Sequence, residues 1–127
     1  MKQVLLIDDD RDDAELFGEA LMEIDASVIF KHYQESIVGL KALLTDLTDL
    51  PDLIFLDINM PIVSGWECLA QFRKTDHLKN IPVYIFTTSS QTREKEIAKE
   101  LGASGYITKP SEYNALKELL HQVLKNN

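Results

Sequence analysis

Four short apolar segments of this chain each end in polar residues that do not continue the segment. The first three lack the alternation of a half-exposed sheet, so they are typical of strands covered on both faces. The segments and the polar residues after them are 4–7 with Asp8 and Asp9, 53–56 with Asp57, 83–86 with Thr87 and Thr88, and 106–107 with Thr108 and Lys109. If these strands are parallel neighbours, the polar groups meet at one end of one sheet, where open α/β sheets bind ligands.

Segments with apolar residues at spacings of three and four lie between the apolar runs. A further run at 28–30 adds a strand, and the last strand is expected over 104–107. Helices are predicted from a capping box of Asp12 and Glu15 to Ile24, over 36–47, from near Gly65, over 92–101 with Gly102 as the stop, and over 112–124. Strand and helix alternate five times. This pattern predicts a parallel sheet with helices on both faces and right-handed crossovers.

The composition of the chain disfavours nucleic acid and membranes as binding partners. The chain carries 21 acidic and 13 basic side chains, a net charge of −8, and such a surface repels nucleic acid and anionic membranes. The 127 residues suit one domain, 1–127, and no apolar stretch approaches the roughly 20 residues of a membrane helix. A lone cysteine, Cys68, fits a reducing compartment. We therefore expect one cytoplasmic domain with no nucleic-acid or membrane partner.

The polar residues, taken in order, resemble those of a response-regulator receiver domain of the chemotaxis type. The matching features are Asp8-Asp9, Asp57 with Asn59-Met60-Pro61 and Gly65, Thr87-Thr88, Tyr106, and Lys109-Pro110. The resemblance covers the whole chain and depends on the order of all these features. It implies a flavodoxin-like α/β fold with a five-stranded parallel sheet of order 2-1-3-4-5, an order for which the chemotaxis family is itself an example.

The carboxylates at the strand ends suit a divalent cation. Mg²⁺ prefers oxygen ligands and keeps several waters, so Asp9 and Asp57 can bind it directly and Asp8 can orient a bound water. The resemblance adds the main-chain carbonyl of Asn59 as a ligand. We expect a site for Mg²⁺, with Mn²⁺ as a second candidate ion.

Asp57 is the expected phosphoacceptor, attacking in line and forming an acyl phosphate. Lys109 and the Thr87 hydroxyl are expected to contact phosphoryl oxygens, together with the backbone N–H groups of Asn59 and Thr88. The resemblance also implies that Thr87 and Tyr106 act as switch residues. It further implies a cis peptide bond between Lys109 and Pro110.

Other interpretations compete with this one. An aspartate-nucleophile phosphatase could use Asp8 and Asp10 in an Asp-x-Asp motif, but such enzymes usually need a cap, and Asp57 would have no role. A degenerate receiver could act as an unphosphorylated interaction scaffold. Degenerate receivers usually lack one of the acidic, threonine or lysine positions, and all are present here. Asp10, Asp12 and Asp13 are interpreted as loop and cap residues.

The expected function is that of a single-domain response regulator, a switch and not an enzyme. A sensor histidine kinase or a histidine phosphotransfer protein would donate the phosphoryl group. The output would be contact with another protein or onward phosphotransfer. Movement of Thr87 would let Tyr106 rotate into the vacated space and reshape the face formed by residues 92–124. Partner binding, and a phosphorylation-enhanced homodimer, are expected on that face.

Overall fold

The computed structural model describes residues 2–127 and shows a central parallel sheet covered by helices on both faces. The strands are β1 Gln3–Ile7, β2 Ile29–Tyr33, β3 Leu53–Leu56, β4 Val83–Thr87 and β5 Gly105–Thr108. The helices are α1 Arg11–Ile24, α2 Ser36–Thr45, α3 Gly65–Lys74, α4 Thr92–Glu100 and α5 Tyr113–Lys125. The strand order is β2-β1-β3-β4-β5, and every neighbouring pair is parallel. The predicted fold class and strand order are confirmed.

The three central strands supply two separate apolar cores because their side chains alternate between the two faces of the sheet. On one face, Leu5, Ile54 and Ile85 pack with α2, α3 and α4. On the other face, Leu6 and Phe55 pack with α1 and α5. Both faces are therefore dry, which explains why these strands lack polar alternation.

Helix α1 begins at Arg11 because Asp10, and not Asp12, is its N-cap. The Asp10 side chain accepts a hydrogen bond from the backbone N–H of Asp13 at 3.0 Å. The predicted capping box of Asp12 and Glu15 is therefore wrong. Asp12 and Asp13 lie instead in the first helical turn, where negative charge is stabilised by the helix dipole.

Helix α4 is weakly anchored. Of its nine residues only Ala98 is buried. The helix ends at Glu100 with Leu101 as its C-cap, and the next residue, Gly102, has a φ of +91° in the left-handed region that glycine adopts without strain. The predicted start at Thr92 and stop at Gly102 are confirmed, and the helix ends one residue before the predicted 101. Among residues 2–127, no helix has both the length and the apolar character needed to cross a membrane.

Candidate functional site

Three carboxylates meet at the carboxyl end of the sheet. Asp8, Asp9 and Asp57 each offer an oxygen, and these oxygens lie within 4.8 Å of one another. The parallel register that pairs Ile7 with Leu56 places the residues that follow β1 and β3 at the same level. Asp8 and Asp57 are buried, with 0% and 6% exposure, whereas Asp9 is exposed. The cluster is thus open to solvent on the Asp9 side.

The backbone around Asp57 holds its carboxylate in place. The Asp57 N–H donates to the carbonyl of Ile7 at 3.0 Å, and its Oδ1 accepts from the N–H of Asn59 at 3.3 Å. Gly65, the first residue of α3, packs directly on this loop. A Cβ at Gly65 would lie 2.6 Å from the Cα of Ile58 and would also clash with the carbonyl oxygen of Asp57. Only glycine lets α3 approach the loop this closely.

The Asp8 carboxylate is only partly satisfied. Its Oδ1 accepts from the backbone N–H of Asp10 at 2.9 Å. Its Oδ2 forms a buried ion pair with Nζ of Lys109 at 2.8 Å, and this oxygen has no further partner. It suits an additional donor, such as a water bound to a metal ion.

Lys109 lies among three carboxylates. Its Nζ is 2.8 Å from Oδ2 of Asp8, 2.8 Å from Oδ2 of Asp13 and 3.8 Å from Oδ2 of Asp57. The Lys109 side chain is only 10% exposed, and its backbone N–H donates to the carbonyl of Thr87 at 2.6 Å. The end of β4 therefore positions the lysine that faces the carboxylates.

The predicted cis bond before Pro110 is wrong. No peptide bond among residues 2–127 is cis, so the Lys109–Pro110 bond is trans. Trans is the preferred isomer before proline by about 0.5–1 kcal/mol. Lys109 reaches Asp8 from a trans bond, so the turn directs this side chain inward without the rarer isomer.

Burial and crowding of like charges perturb the ionisation of this cluster. Burial, reinforced by the charge of Asp8, raises the pKa of Asp57 to about 6. Burial also raises the pKa of Asp8, against the lowering effect of Lys109. Burial acts to lower the pKa of Lys109, but its contacts with Asp13 and Asp8 outweigh that effect and raise it. The site holds more negative charge than Lys109 neutralises, which favours a bound cation.

The donor set fits a hard divalent cation. Asp8, Asp9 and Asp57 present only oxygen ligands, which is the preference of Mg²⁺ and Mn²⁺. The buried Asp8 Oδ2, whose one partner is Lys109, supports the same assignment. Asn59, which is exposed, follows Asp57 by two residues on the same loop.

The predicted anion-binding residues lie at the ends of β4 and β5. Thr87 is fully buried and pairs with Thr108 of β5. Its Oγ1 accepts a long hydrogen bond of 3.5 Å from the backbone N–H of Ser89. Thr88, the next residue, is exposed. The structure thus brings Thr87 beside the Lys109 backbone while leaving Thr88 at the surface.

Tyr106 connects β5 to α4. Its ring packs against the core face shared with α2, α3 and α4. Its hydroxyl lies 2.8 Å from the carbonyl of Ser89 and 3.1 Å from Oε2 of Glu94, and Nζ of Lys95 lies 5.9 Å from the ring centroid. Tyr106 is therefore a half-buried residue that contacts both the β4–α4 loop and α4.

The sequence interpretation missed the role of Asp13, which it treated as a loop or cap residue. The Asp13 carboxylate accepts a hydrogen bond from Lys109, 96 residues away, at 2.8 Å. One signal could have indicated this contact. Asp13 precedes the fully buried Phe17 by four residues, so both lie on the face of α1 that meets the sheet.

The chain is similar to known signalling proteins over nearly its whole length. The family model described as the response regulator receiver domain matches residues 4–121. A probable cyclic di-GMP phosphodiesterase of Vibrio cholerae is 32% identical over 124 residues, which are 97% of this chain and 26% of that protein. The chain spans about half or less of the length of the curated relatives it matches.

Two solved structures share the fold closely. The phosphorylated cyanobacterial phytochrome response regulator RcpA has a TM-score of 0.87 at 27% identity, covering 98% of this chain and 91% of that one. The Mn²⁺-bound form of response regulator Rcp1 has a TM-score of 0.84 at 27% identity, covering 97% and 91%. This chain is thus similar to one response regulator seen phosphorylated and to one seen with a divalent metal.

Proposed function

The chain belongs to the response regulator receiver family, and on that premise we propose that it is a phosphorylation-dependent switch with Asp57 as its phosphoacceptor. Receiver domains are phosphoacceptor switches and not classical enzymes. The observation that carries the proposal is the convergence of Asp57 with Asp8, Asp9 and Lys109 at one edge of the sheet. Asp8 and Asp9 follow β1, Asp57 follows β3 and Lys109 follows β5, so the site forms only when the chain folds.

Mg²⁺ or Mn²⁺ is the proposed metal, held by Asp8, Asp9, Asp57 and the backbone carbonyl of Asn59. When bound, the ion would offset the repulsion between the carboxylates and an incoming phosphoryl group. The clustered oxygens support this assignment, and so does the buried Asp8 Oδ2, which has no partner besides Lys109. So does the similarity to a receiver solved with Mn²⁺.

The proposed reaction transfers a phosphoryl group from a phosphohistidine to Asp57. A carboxylate oxygen of Asp57 attacks the phosphorus atom, the P–N bond breaks, and its electron pair stays on the imidazole nitrogen. Lys109, whose Nζ lies 3.8 Å from Asp57, is positioned to pair with a phosphoryl oxygen. The Thr87 hydroxyl and the N–H groups of Asn59 and Thr88 would bind the others.

The proposed donor is a sensor histidine kinase or a histidine phosphotransfer protein. The proposed output is contact with another protein, homodimerisation through residues 92–124, or onward phosphotransfer. The contacts of Tyr106 with Ser89 and Glu94 support this, because they connect the loop after β4 to α4. A buried free Cys68 fits the proposed cytoplasmic setting.

The phosphatase interpretation is disfavoured by the role of Asp10. Its carboxylate caps α1 by accepting from the N–H of Asp13, so it is engaged as a helix cap. The geometry likewise supports an intact receiver over a degenerate scaffold, because the acidic residues and the lysine lie in contact.

Labelling with acetyl phosphate in the presence of Mg²⁺ tests the proposed function. Wild-type protein should gain one phosphoryl group on Asp57, and labelling should require the metal. Asp57→Asn should abolish labelling, whereas the control Asp12→Asn, which removes the same charge from an exposed residue, should retain it. Labelling that persists in Asp57→Asn, or steady turnover of added phosphomonoesters, would contradict the proposal.

A further inference from the structure

The contact between Lys109 and Asp13 has no part in the proposed phosphoryl transfer. The ammonium group that should receive a phosphoryl oxygen is shared between Asp8 and Asp13, each at 2.8 Å. It lies farther from the acceptor, at 3.8 Å from Asp57. Of the two contacts at 2.8 Å, the one to Asp13 has hydrogen-bond geometry. Lys109 is therefore held by a carboxylate other than the phosphoacceptor.

The position of Asp13 is firmly set by its helix. Its backbone N–H is bound by the N-cap Asp10, and Phe17, one turn later, is fully buried beneath it. The Asp13 side chain is 34% exposed, so its charge is partly shielded from solvent where it meets Lys109. The Asp13 carboxylate therefore contacts the same ammonium group that lies 3.8 Å from the Asp57 carboxylate.

We propose that Asp13 is a positioning residue that competes with the phosphoryl group for Lys109. This inference rests on the proposed phosphoacceptor function of Asp57. Two effects of the Asp13 charge act in the same direction: it withholds a hydrogen bond of Lys109, and it repels the anionic phosphoryl group. Asp13 thereby weakens the hold of the site on the phosphoryl group and makes the phosphorylated state shorter-lived.

Beryllofluoride, a phosphoryl mimic, provides the direct test in the presence of saturating Mg²⁺. Asp13→Asn keeps the side-chain shape and the backbone N–H that Asp10 caps, but it removes the charge. The variant should bind beryllofluoride tighter by about fivefold or more, the lower end of typical coupling between sites. Its acetyl-phosphate-labelled form should also decay more slowly than that of the wild type.

Asp12→Asn is the matched control. It removes the same charge from the same helical turn, but Asp12 is exposed and lies outside the ion pairs of Lys109. Its effect on beryllofluoride affinity should stay within about twofold, because exposed charges are screened by salt. If the two variants changed beryllofluoride affinity equally, Asp13 would act only as one of several surface charges, and the inference would be overturned.

The ammonium ¹⁵N resonance of Lys109 gives a readout that does not depend on phosphorylation. In metal-free protein it should shift and exchange faster in Asp13→Asn, and remain unchanged in Asp12→Asn. An unchanged resonance in Asp13→Asn, or weaker beryllofluoride binding by that variant, would overturn the inference while leaving the phosphoacceptor role intact. A wild-type protein that bound no beryllofluoride would instead overturn the proposed function, and this inference with it.

Discussion

At the scale of single residues, the site is built from carboxylates whose ionisation is disfavoured by their surroundings. Burial and the charge of Asp8 raise the pKa of Asp57 to about 6, compared with about 4 for an ordinary aspartate. The ionised form of this side chain therefore destabilises the metal-free fold. A divalent cation, or a phosphoryl group with its cation, would relieve the same repulsion.

Stability of the metal-free protein should therefore depend on pH through Asp57. Below about pH 4 the Asp57 carboxyl is protonated in both the folded and the unfolded chain, so it does not destabilise the fold. Stability falls as pH rises through 6. Asp57→Asn removes this destabilisation, so in EDTA its free energy of unfolding should exceed that of wild type above pH 6 by on the order of 3 kcal/mol, and match it near pH 4. Urea unfolding across this pH range measures the difference in free energy of unfolding between the two proteins. A difference that did not vary with pH would contradict this role of the Asp57 charge.

The backbone of Ile62 is in an unfavourable conformation. Its φ of +70° is unfavourable for a β-branched residue, and it sits at the centre of a tight turn in which the N–H of Val63 donates to the carbonyl of Pro61 at 2.8 Å. Its side chain is 83% exposed, so little burial offsets the strain. Ile62→Asn should stabilise the fold by about 1 kcal/mol, measured by urea unfolding. The control Leu47→Asn, also exposed but without positive φ, should not.

At the scale of elements, the strand ends were predictable and the long-range contacts were not. The uninterrupted apolar runs 4–7, 53–56 and 83–86 show where these strands end, so the positions of Asp8, Asp57 and Thr87 at the strand ends follow from the sequence. The start of α1 was not predictable in the same way, because several adjacent aspartates could each act as its cap.

The remaining errors concern tertiary contacts. Periodicity describes which face of a helix is buried, but it does not show which distant side chain lies opposite a polar residue at the rim of that face. The pairing of Asp13 with Lys109 is of this kind. The isomer before Pro110 likewise depends on the folded turn, because either isomer is accessible to a peptide in isolation.

Helix α4 should depend on the Tyr106 hydroxyl for its local stability. Only Ala98 of this helix is buried, and Tyr106 links it to β5 through Ser89 and Glu94. Tyr106→Phe should speed amide hydrogen exchange within 92–100 by about fivefold, the loss of one typical hydrogen bond. Tyr113→Phe is the control, since Tyr113 packs on the opposite face of the sheet. Equal exchange in wild type and Tyr106→Phe would contradict this link.

At the scale of the whole molecule, the clustered carboxylates should make stability depend on metal. Mg²⁺ at 100 times its dissociation constant should add roughly 2.7 kcal/mol to the free energy of unfolding. Asp9→Asn should raise the melting temperature without metal, because it reduces repulsion with Asp8 and Asp57, and should blunt the response to Mg²⁺. Calorimetry with and without EDTA measures both effects. A wild-type melting temperature insensitive to Mg²⁺ would rule out the proposed metal site.

A phosphoryl group on Asp57 is proposed to change the conformation of the distant face formed by α4, β5 and α5. Amide chemical shifts recorded before and after addition of beryllofluoride and Mg²⁺ test it most directly, with Asp57→Asn as the control. In the wild type we expect shifts in the loops around Asp8, Asp57 and Lys109 that extend through residues 92–120, and in the control we expect none of these. Shifts confined to those loops, with 92–120 silent, would contradict it.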